Sequence, residues 1–374
     1  MIHYGHQSLS DSDFELVLES LKGEYLTNGP LLEEFESKLN HETDAHCIAV
    51  SSGTAALHTA YSAIGVTSGD EVITPPITFI ATQATAVSLG ATIKFVDVDP
   101  DTGLLDVNQV EKAISKKTKA IVTVDYGGCQ ADLFKLKAIA SKYGIYLIQD
   151  AAHSLGSLYF GKKVGSIADL TTFSFFPTKN ITTGEGGAVS VLDPEIFKKA
   201  KRFARQGLIR NSEEFLIKDE GPWHQEVHSF GLNYRLSEIN CALGISQLGN
   251  MRNFKARKNE IFDFYTDALA DIAEIRLPKV PLHCEPNWHL YFLLVDPDIR
   301  LGLYEFLKES GIGVQVNYLP AYRHPAFDGR YPRNHFPNSE AFYSRELSIP
   351  LHASLSNAEC EYIVDKIRDF SAKI

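Results

Sequence analysis

Between residues 71 and 152 the chain alternates strand-like and helix-like stretches with little room for any other reading. EVITP (71–75) precedes FIATQATAVSLG (79–90). TIKFVDVD (92–99) precedes DVNQVEKAISKK (106–117). KAIVTVDYG (119–127) precedes LFKLKAIASKYG (133–144), and YLIQDAA (146–152) closes the series. Strands joined by helices of this length predict a mostly parallel sheet covered on both faces, an α/β architecture. In such sheets ligands sit beyond the carboxyl ends of the strands. That rule puts Ser52–Thr54, Asp150 and the loop around Lys179 on one rim.

The flanks extend the pattern. Residues 11–22 read as an amphipathic helix capped by Ser10 or Asp11, TNGP (27–30) as a turn, and 31–39 as a second helix. HCIAVSS (46–52) reads as a strand feeding a small-residue helix from Thr54 to Ile64. FKKAKRFARQG (197–207) is helical, and 208–232 is a loop rich in charge, Gly and Pro. A long helical pattern over 235–271 is expected to break near Gly249–Asn250. Beyond about 272 the texture becomes α+β: a strand at 288–296, a helix at 303–311, a strand at 314–319 and a last helix at 357–373. The expected division is therefore 1–250 for a large domain and 251–374 for a small C-terminal one.

With 374 residues and 44% hydrophobic content, the chain can bury a large core. A net charge of −11 argues against a nucleic-acid partner. It leaves room for small anions held by local amides and cations. The five cysteines are scattered with no CxxC pair, so neither a zinc site nor a disulfide framework is expected, and a reducing cytoplasm is. No apolar run reaches membrane-spanning length, no repeat is visible, and no metal is expected.

The chemistry-bearing residues follow in a telling order. SGTAAL opens a helix after a strand; Gly53 permits the sharp turn, and the free first-turn amides with the Thr54 hydroxyl suit a phosphate. Phe79 opens the next helix. Asp150 ends an apolar strand, where a carboxylate calls for a partner such as a cationic ring nitrogen. His153 follows on the same loop. Ser174 and Lys179 lie between two strand-like runs in DLTTFSFFPTKNITTGEGGAVSV (169–191), and Asn233 precedes a helix. Singly, each has a structural explanation: a capped glycine turn, a core aromatic, a turn-capping acid, a satisfied histidine, a solvated lysine, a capping asparagine. Together they are what pyridoxal 5'-phosphate needs: an amine for a Schiff base, an acid at the pyridine nitrogen, hydroxyls and amides at the phosphate, and an aromatic cover.

SGTAAL, TPPITFIAT, QDAAHSLGSLY, TTFSFFPTKNITTGEGGA, GLNYRLSEINCALGISQL and SIPLHASL resemble the DegT/DnrJ/EryC-type nucleotide-sugar aminotransferases over nearly the whole chain. The resemblance implies the aspartate-aminotransferase-like fold (fold type I), pyridoxal phosphate as cofactor, and a homodimer with shared active sites. It implies that Lys179 forms the Schiff base and shuttles protons, and that Asp150 pairs with the pyridinium. Phe79 and His153 approach the ring, Gly53, Thr54, Ala55 and Ser174 hold the phosphate, and Asn233 reaches the phosphate of the neighbouring subunit.

IHYGHQSL, EYLTNGP, VDYGG and GPWHQEV look most like the subgroup acting in pseudaminic acid biosynthesis. That likeness implies glutamate as donor and C4 of a UDP-linked 4-keto-6-deoxy-N-acetylhexosamine as acceptor. It implies a nucleotide-sugar site lined by Tyr4, by Glu24, Tyr25, Leu26 and Thr27, and by Gln315, Val316, Asn317 and Tyr318. Two departures bear on the sugar: Asn317 and Phe176 stand where the subgroup carries histidines. Tyr322, Arg323 and His324 are further candidates for sugar or diphosphate contacts, or a solvated loop. A bacillosamine- or perosamine-type C4 enzyme and a C3 enzyme are the alternatives. A sugar dehydratase of the same family would carry histidine at position 179, and a non-enzymatic relative would not be expected to keep Lys179, Asp150, Thr54 and Ser174 together.

Overall fold

The computed structural model describes residues 1–218 and 220–373. A seven-stranded sheet forms its centre. Named in spatial order, the strands are His46–Val50, Gly187–Val191, Leu170–Ser174, Tyr146–Asp150, Thr118–Val124, Glu71–Thr74 and Thr92–Phe95. All run parallel except Gly187–Val191, which pairs antiparallel with both neighbours. The predicted alternation is thus the observed one. Successive strand residues face opposite layers: Ile48 and Val50 pack under the helices Gly53–Ala63 and Pro194–Ala204, whereas Cys47 and Ala49 pack with Phe35 and Leu39 of the helix Pro30–Thr43.

Register aligns the chemistry. Asp150 lies opposite both Val124 and Thr172, and Gly187 opposite both Ser174 and Val50. The carboxyl ends of five parallel strands therefore meet on one rim, as the strand–helix order requires.

A second, three-stranded sheet orders Ile275–Arg276, Tyr291–Val295 and Glu346–Ile349, all antiparallel, with the helices Pro297–Glu309 and Asn357–Ser371 against it. Two expectations fail in this part of the chain. The helix Glu238–Leu269 runs unbroken for 32 residues, about 48 Å, through the predicted break. A Cβ at Gly249 would meet nothing, and Cys241, Met251, Ile261 and Tyr265 are buried along the rod, so packing outweighs the roughly 1 kcal/mol cost of an exposed glycine. The 314–319 segment is no strand. It forms a single bridge, Gln315 to Ser348, and the amide two residues on, Asn317 N–H, donates to the Glu346 side-chain carboxyl at 2.6 Å instead of to a backbone carbonyl.

One apolar cluster joins the two sheets, from Ile73, Ile121 and Leu147 to Tyr291, Leu293 and Ile363. The 250/251 boundary thus falls inside a continuous helix above a shared core. No helix among the described residues is long and apolar enough to cross a membrane.

A candidate active site on the sheet rim

The rim encloses a cavity of about 490 Å³. Five strand ends contribute to it: Gly53 and Thr54 after His46–Val50, Phe79 and Thr82 after Glu71–Thr74, Val124 ending its strand, Asp150 and His153, and Ser174 and Lys179. The wall facing them is Tyr4, Gln315, Asn317 and Tyr318.

The helix Gly53–Ala63 starts at the cavity. Its cap, Ser52, accepts from Ala55 N–H at 3.0 Å, so the Ala55 amide is already satisfied and its side chain is buried outside the cavity. Gly53 and Thr54 are left facing the cavity, at a helix start that suits an anion. Gly53 has to be glycine here: a Cβ would lie 2.8 Å from Ser174 Cβ, so the helix terminus and the Ser174 strand end meet directly.

Asp150 is buried, with Oδ2 accepting from Thr82 Oγ1 at 2.7 Å and Oδ1 from Ala152 N–H at 3.3 Å. Burial raises its pKa, and the hydrogen bonds and the Lys179 charge hold it down in part. No salt bridge satisfies it among the described residues. Loss of hydration, offset only in part by Asp150, lowers Lys179 to about 8. His153 is buried beside Lys179 with its pKa pushed well down by burial. Its Nε2 is 3.3 Å from the Tyr318 hydroxyl, and its Nδ1 has no partner. Phe79 stands just ahead of the helix Ala81–Ser88. It is 60% exposed, with its ring edge-on to Tyr318 at 6.2 Å, so it is a cavity aromatic and not a core one.

An amine that deprotonates near neutrality, an acid with no cationic partner, an unpartnered ring nitrogen and an open helix N-terminus fit a phosphorylated cationic heteroaromatic such as pyridoxal phosphate.

The opposite wall is assembled from three distant segments. Asn317 Nδ2 donates to Tyr4 Oη at 2.6 Å and to Ser348 Oγ at 3.1 Å, and Asn317 O accepts from Tyr126 Oη at 2.5 Å. Glu346, fully buried, accepts from Asn317 N–H and from Ser348 Oγ. Burial lifts its pKa to about 8.

Several expected residues lie elsewhere. Glu24, Tyr25, Leu26 and Thr27 are exposed and away from the cavity, and Asn233 is exposed, bridging to Arg205. Val316 packs against the apolar core, facing away from the site. Tyr322 is buried, stacks on Phe336 and donates to Glu340, which also pairs with Arg323; these two serve packing, and neither they nor His324 line the cavity. Phe176 is half exposed in the cavity lining. Thr82, His289 and Glu346 were missed by the sequence reading. Thr82 could have been found, since it lies one helical turn beyond Thr78 in TPPITFIAT; the other two carry no local signal.

Residues 7–368 match the DegT/DnrJ/EryC1/StrS aminotransferase family. The chain is 36% identical over 381 residues to the UDP-4-amino-4,6-dideoxy-N-acetyl-beta-L-altrosamine transaminase of Campylobacter jejuni strain 81-176, a match covering 100% of this chain and 98% of that one. It is 34% identical over 374 residues to the spore coat polysaccharide biosynthesis protein SpsC of Bacillus subtilis, covering 98% and 96%. Among solved structures, Helicobacter pylori PseC, an aminotransferase involved in the biosynthesis of pseudoaminic acid, superposes with TM-score 0.93 at 32% identity, covering 100% of both chains. Spr1654 from Streptococcus pneumoniae, a proposed sugar aminotransferase in its PMP form, gives 0.94 at 28%, again covering both chains fully. The chain belongs to the DegT/DnrJ/EryC1/StrS aminotransferase family and is a sugar aminotransferase dependent on pyridoxal phosphate.

Proposed function

We propose that this chain moves the amino group of L-glutamate to C4 of a UDP-linked 4-keto-6-deoxy-N-acetylhexosamine, as in pseudaminic acid-type nucleotide-sugar biosynthesis. The observation that carries this reading is the pairing of unlike walls around one cavity. Lys179 and Asp150 face it from the sheet rim, and the hydroxyls and amides of Tyr4, Gln315, Asn317 and Tyr318 face it from the other side. The first wall suits the cofactor and the second a sugar. The names of the Campylobacter and Helicobacter relatives support the particular sugar.

In this reading Gly53, Thr54 and Ser174 hold the cofactor phosphate, Asp150 the ring nitrogen, and Phe79 and His153 flank the ring. Bound pyridoxal phosphate supplies an electron sink for the carbon that loses or gains a proton. The chain supplies the rest. The Asp150 carboxylate, raised in energy by burial, gains from any cation set beside it and so keeps a ring nitrogen charged. Lys179 Nζ, lowered to about 8, is a base near neutral pH. It takes the proton from the α-carbon of glutamate in one half-reaction and delivers a proton to the sugar carbon in the other.

The reading assigns Asn233 and Glu24–Thr27, exposed and outside this cavity, to the site of a second copy in a homodimer. Exposed Leu216, Trp223 and Phe230 on the segment leading to Asn233 suit burial against such a copy. The cytoplasm is the proposed setting, in keeping with five free, buried cysteines.

The test is a panel of 4-keto-6-deoxy nucleotide sugars, UDP-, dTDP- and GDP-linked, incubated with glutamate. A UDP-N-acetylhexosamine-derived ketone is expected to give the 4-amino product, and Lys179→Ala to abolish it, a loss of at least about 10³-fold. Turnover confined to dTDP or GDP ketones, or a 3-amino product, rejects the substrate assignment. Wild-type turnover by Lys179→Ala rejects the assigned role of the lysine.

A further inference from the structure

Lys179 stands between two cavities. Behind it, away from the sugar wall, lies a second one of about 30 Å³, room for about one water, lined in part by His6, Lys258, Trp288 and His352. Thr178, Lys179 and His289 line both cavities. His289 Nε2 is 3.4 Å from Lys179 Nζ.

The state of the His289 ring follows from its surroundings. Burial comes first, then the neighbouring His153, Lys179 and Lys258; together they push its pKa well below the ordinary value, so the ring is neutral. The Thr178 backbone bears on the ring in the opposite sense, favouring the protonated form as a carbonyl near a ring N–H does. A neutral imidazole has one donor and one acceptor nitrogen. With the N–H turned towards Thr178, Nε2 is left as the acceptor, and Lys179 Nζ, 3.4 Å away, is the donor that can meet it.

The ring is itself well anchored. His289 N–H donates to Gly127 O at 3.0 Å, the ring lies 4.1 Å from that of His153, and the preceding carbonyl, Trp288 O, accepts from buried Lys258 at 2.6 Å. An acceptor held this way beside the amine takes one N–H and leaves the nitrogen lone pair free.

We propose that His289 is a positioning residue for the amino-group transfer, accepting a hydrogen bond from the free Lys179 amine through Nε2 and directing that amine at the cofactor-side cavity. The inference rests on Lys179 being the reacting lysine. The charged and titratable groups that line the two cavities with the amine are Tyr4, Asp150, His153, Glu185 and Tyr318 in front, with His289 beside it and His6, Lys258 and His352 behind.

The experiment compares wild type, His289→Leu and His289→Gln. Leucine keeps bulk without an acceptor, and the glutamine side-chain oxygen can accept. In cofactor-free protein, cyanate carbamylation of Lys179 is followed by peptide mass spectrometry as a function of pH. Wild type is expected to show a half-point of about 8. His289→Leu is expected to fall by about half a unit or more, because the charged amine loses its acceptor, with His289→Gln returning towards wild type. In the glutamate half-reaction, His289→Leu is expected to lose about tenfold to hundredfold in kcat with KM within about twofold, and His289→Gln to recover most of it. An unchanged half-point with unchanged kcat in His289→Leu overturns the proposal. So does a His289→Gln variant that folds as wild type but is as impaired as His289→Leu. Carbamylation needs neither cofactor nor sugar, so failure here is separable from failure of the Lys179→Ala test, which alone bears on the reacting lysine.

Discussion

The two walls of the cavity apply one physical device to opposite charges. On the sheet rim, burial lowers a lysine to about 8; behind the opposite wall, burial raises a carboxyl to about 8. Both groups are disposed towards neutrality, but for different ends. Lys179 faces the cavity, where a neutral amine is a reagent. Glu346 is fully buried and faces Asn317 and Ser348, where a neutral acid is a strut. A perturbed titration therefore marks function only when the group faces open space, and the same shift one layer deeper marks construction.

The contrast is broken most forcefully from the strut side. Glu346→Ala leaves the buried Asn317 N–H without its acceptor and loosens Ser348, and about 3 kcal/mol of stability is expected to go with it, measured by urea unfolding. Loss of under about 0.5 kcal/mol would mean that the wall is held by its other bonds, those of Tyr126 and Tyr4.

Next in size are the two pH dependences, which have opposite signs. Glu346 has its folded pKa near 8, above the ordinary carboxyl value of about 4.3. Between these values the native state holds the extra proton, so its contribution to stability is present at acid pH and declines as pH rises towards 8. Glu346→Gln is expected to gain on wild type steadily from pH 5 to 8. Lys179 has its folded pKa near 8, below the ordinary value of about 10.4, so there the unfolded state holds the extra proton and stability rises with pH from about 8 upward. Without cofactor, Lys179→Met is expected to lack that rise. Parallel wild-type and variant curves in either pair would show that the group is not perturbed as its burial requires.

The smallest effect is expected at the mouth. Phe176 is 46% exposed and lines the cavity. Phe176→Ala is expected to raise KM for the keto-sugar by about tenfold or less while leaving KM for glutamate in place. An equal rise for both substrates would put Phe176 on the cofactor side of the comparison.

The walls also differ in how well the sequence announces them. Everything on the rim is local: SGT at a helix start, Asp150 at the end of YLIQD, Lys179 between two strands. The period-2 and helical patterns that predict the sheet also predict where its strand ends meet. The opposite wall is non-local, since Tyr4, Asn317 and Glu346 are more than 300, and about 30, positions apart. Nothing in VQVNYL says that a glutamate 29 residues on will take the Asn317 amide and deny the segment its place in a strand. His289 is hidden for the same reason, 110 residues from the lysine it touches. The break expected at Gly249 was a local inference overridden by the packing of the residues around it.

That unbroken helix has a thermodynamic consequence. Its first turn meets the N-terminal part of the chain, where Glu238 accepts from the amides of Gly29, Leu31 and Leu32. Its middle shares a core with the large sheet through Met251, and its last turns share another with the small sheet through Ile261 and Tyr265. A rod buried along its length cannot fray at either end without uncovering apolar surface there. The two sheets, distinct as architecture, are therefore expected to behave as a single cooperative unit, with calorimetry showing one melting event and a chain cut within the rod keeping neither half folded.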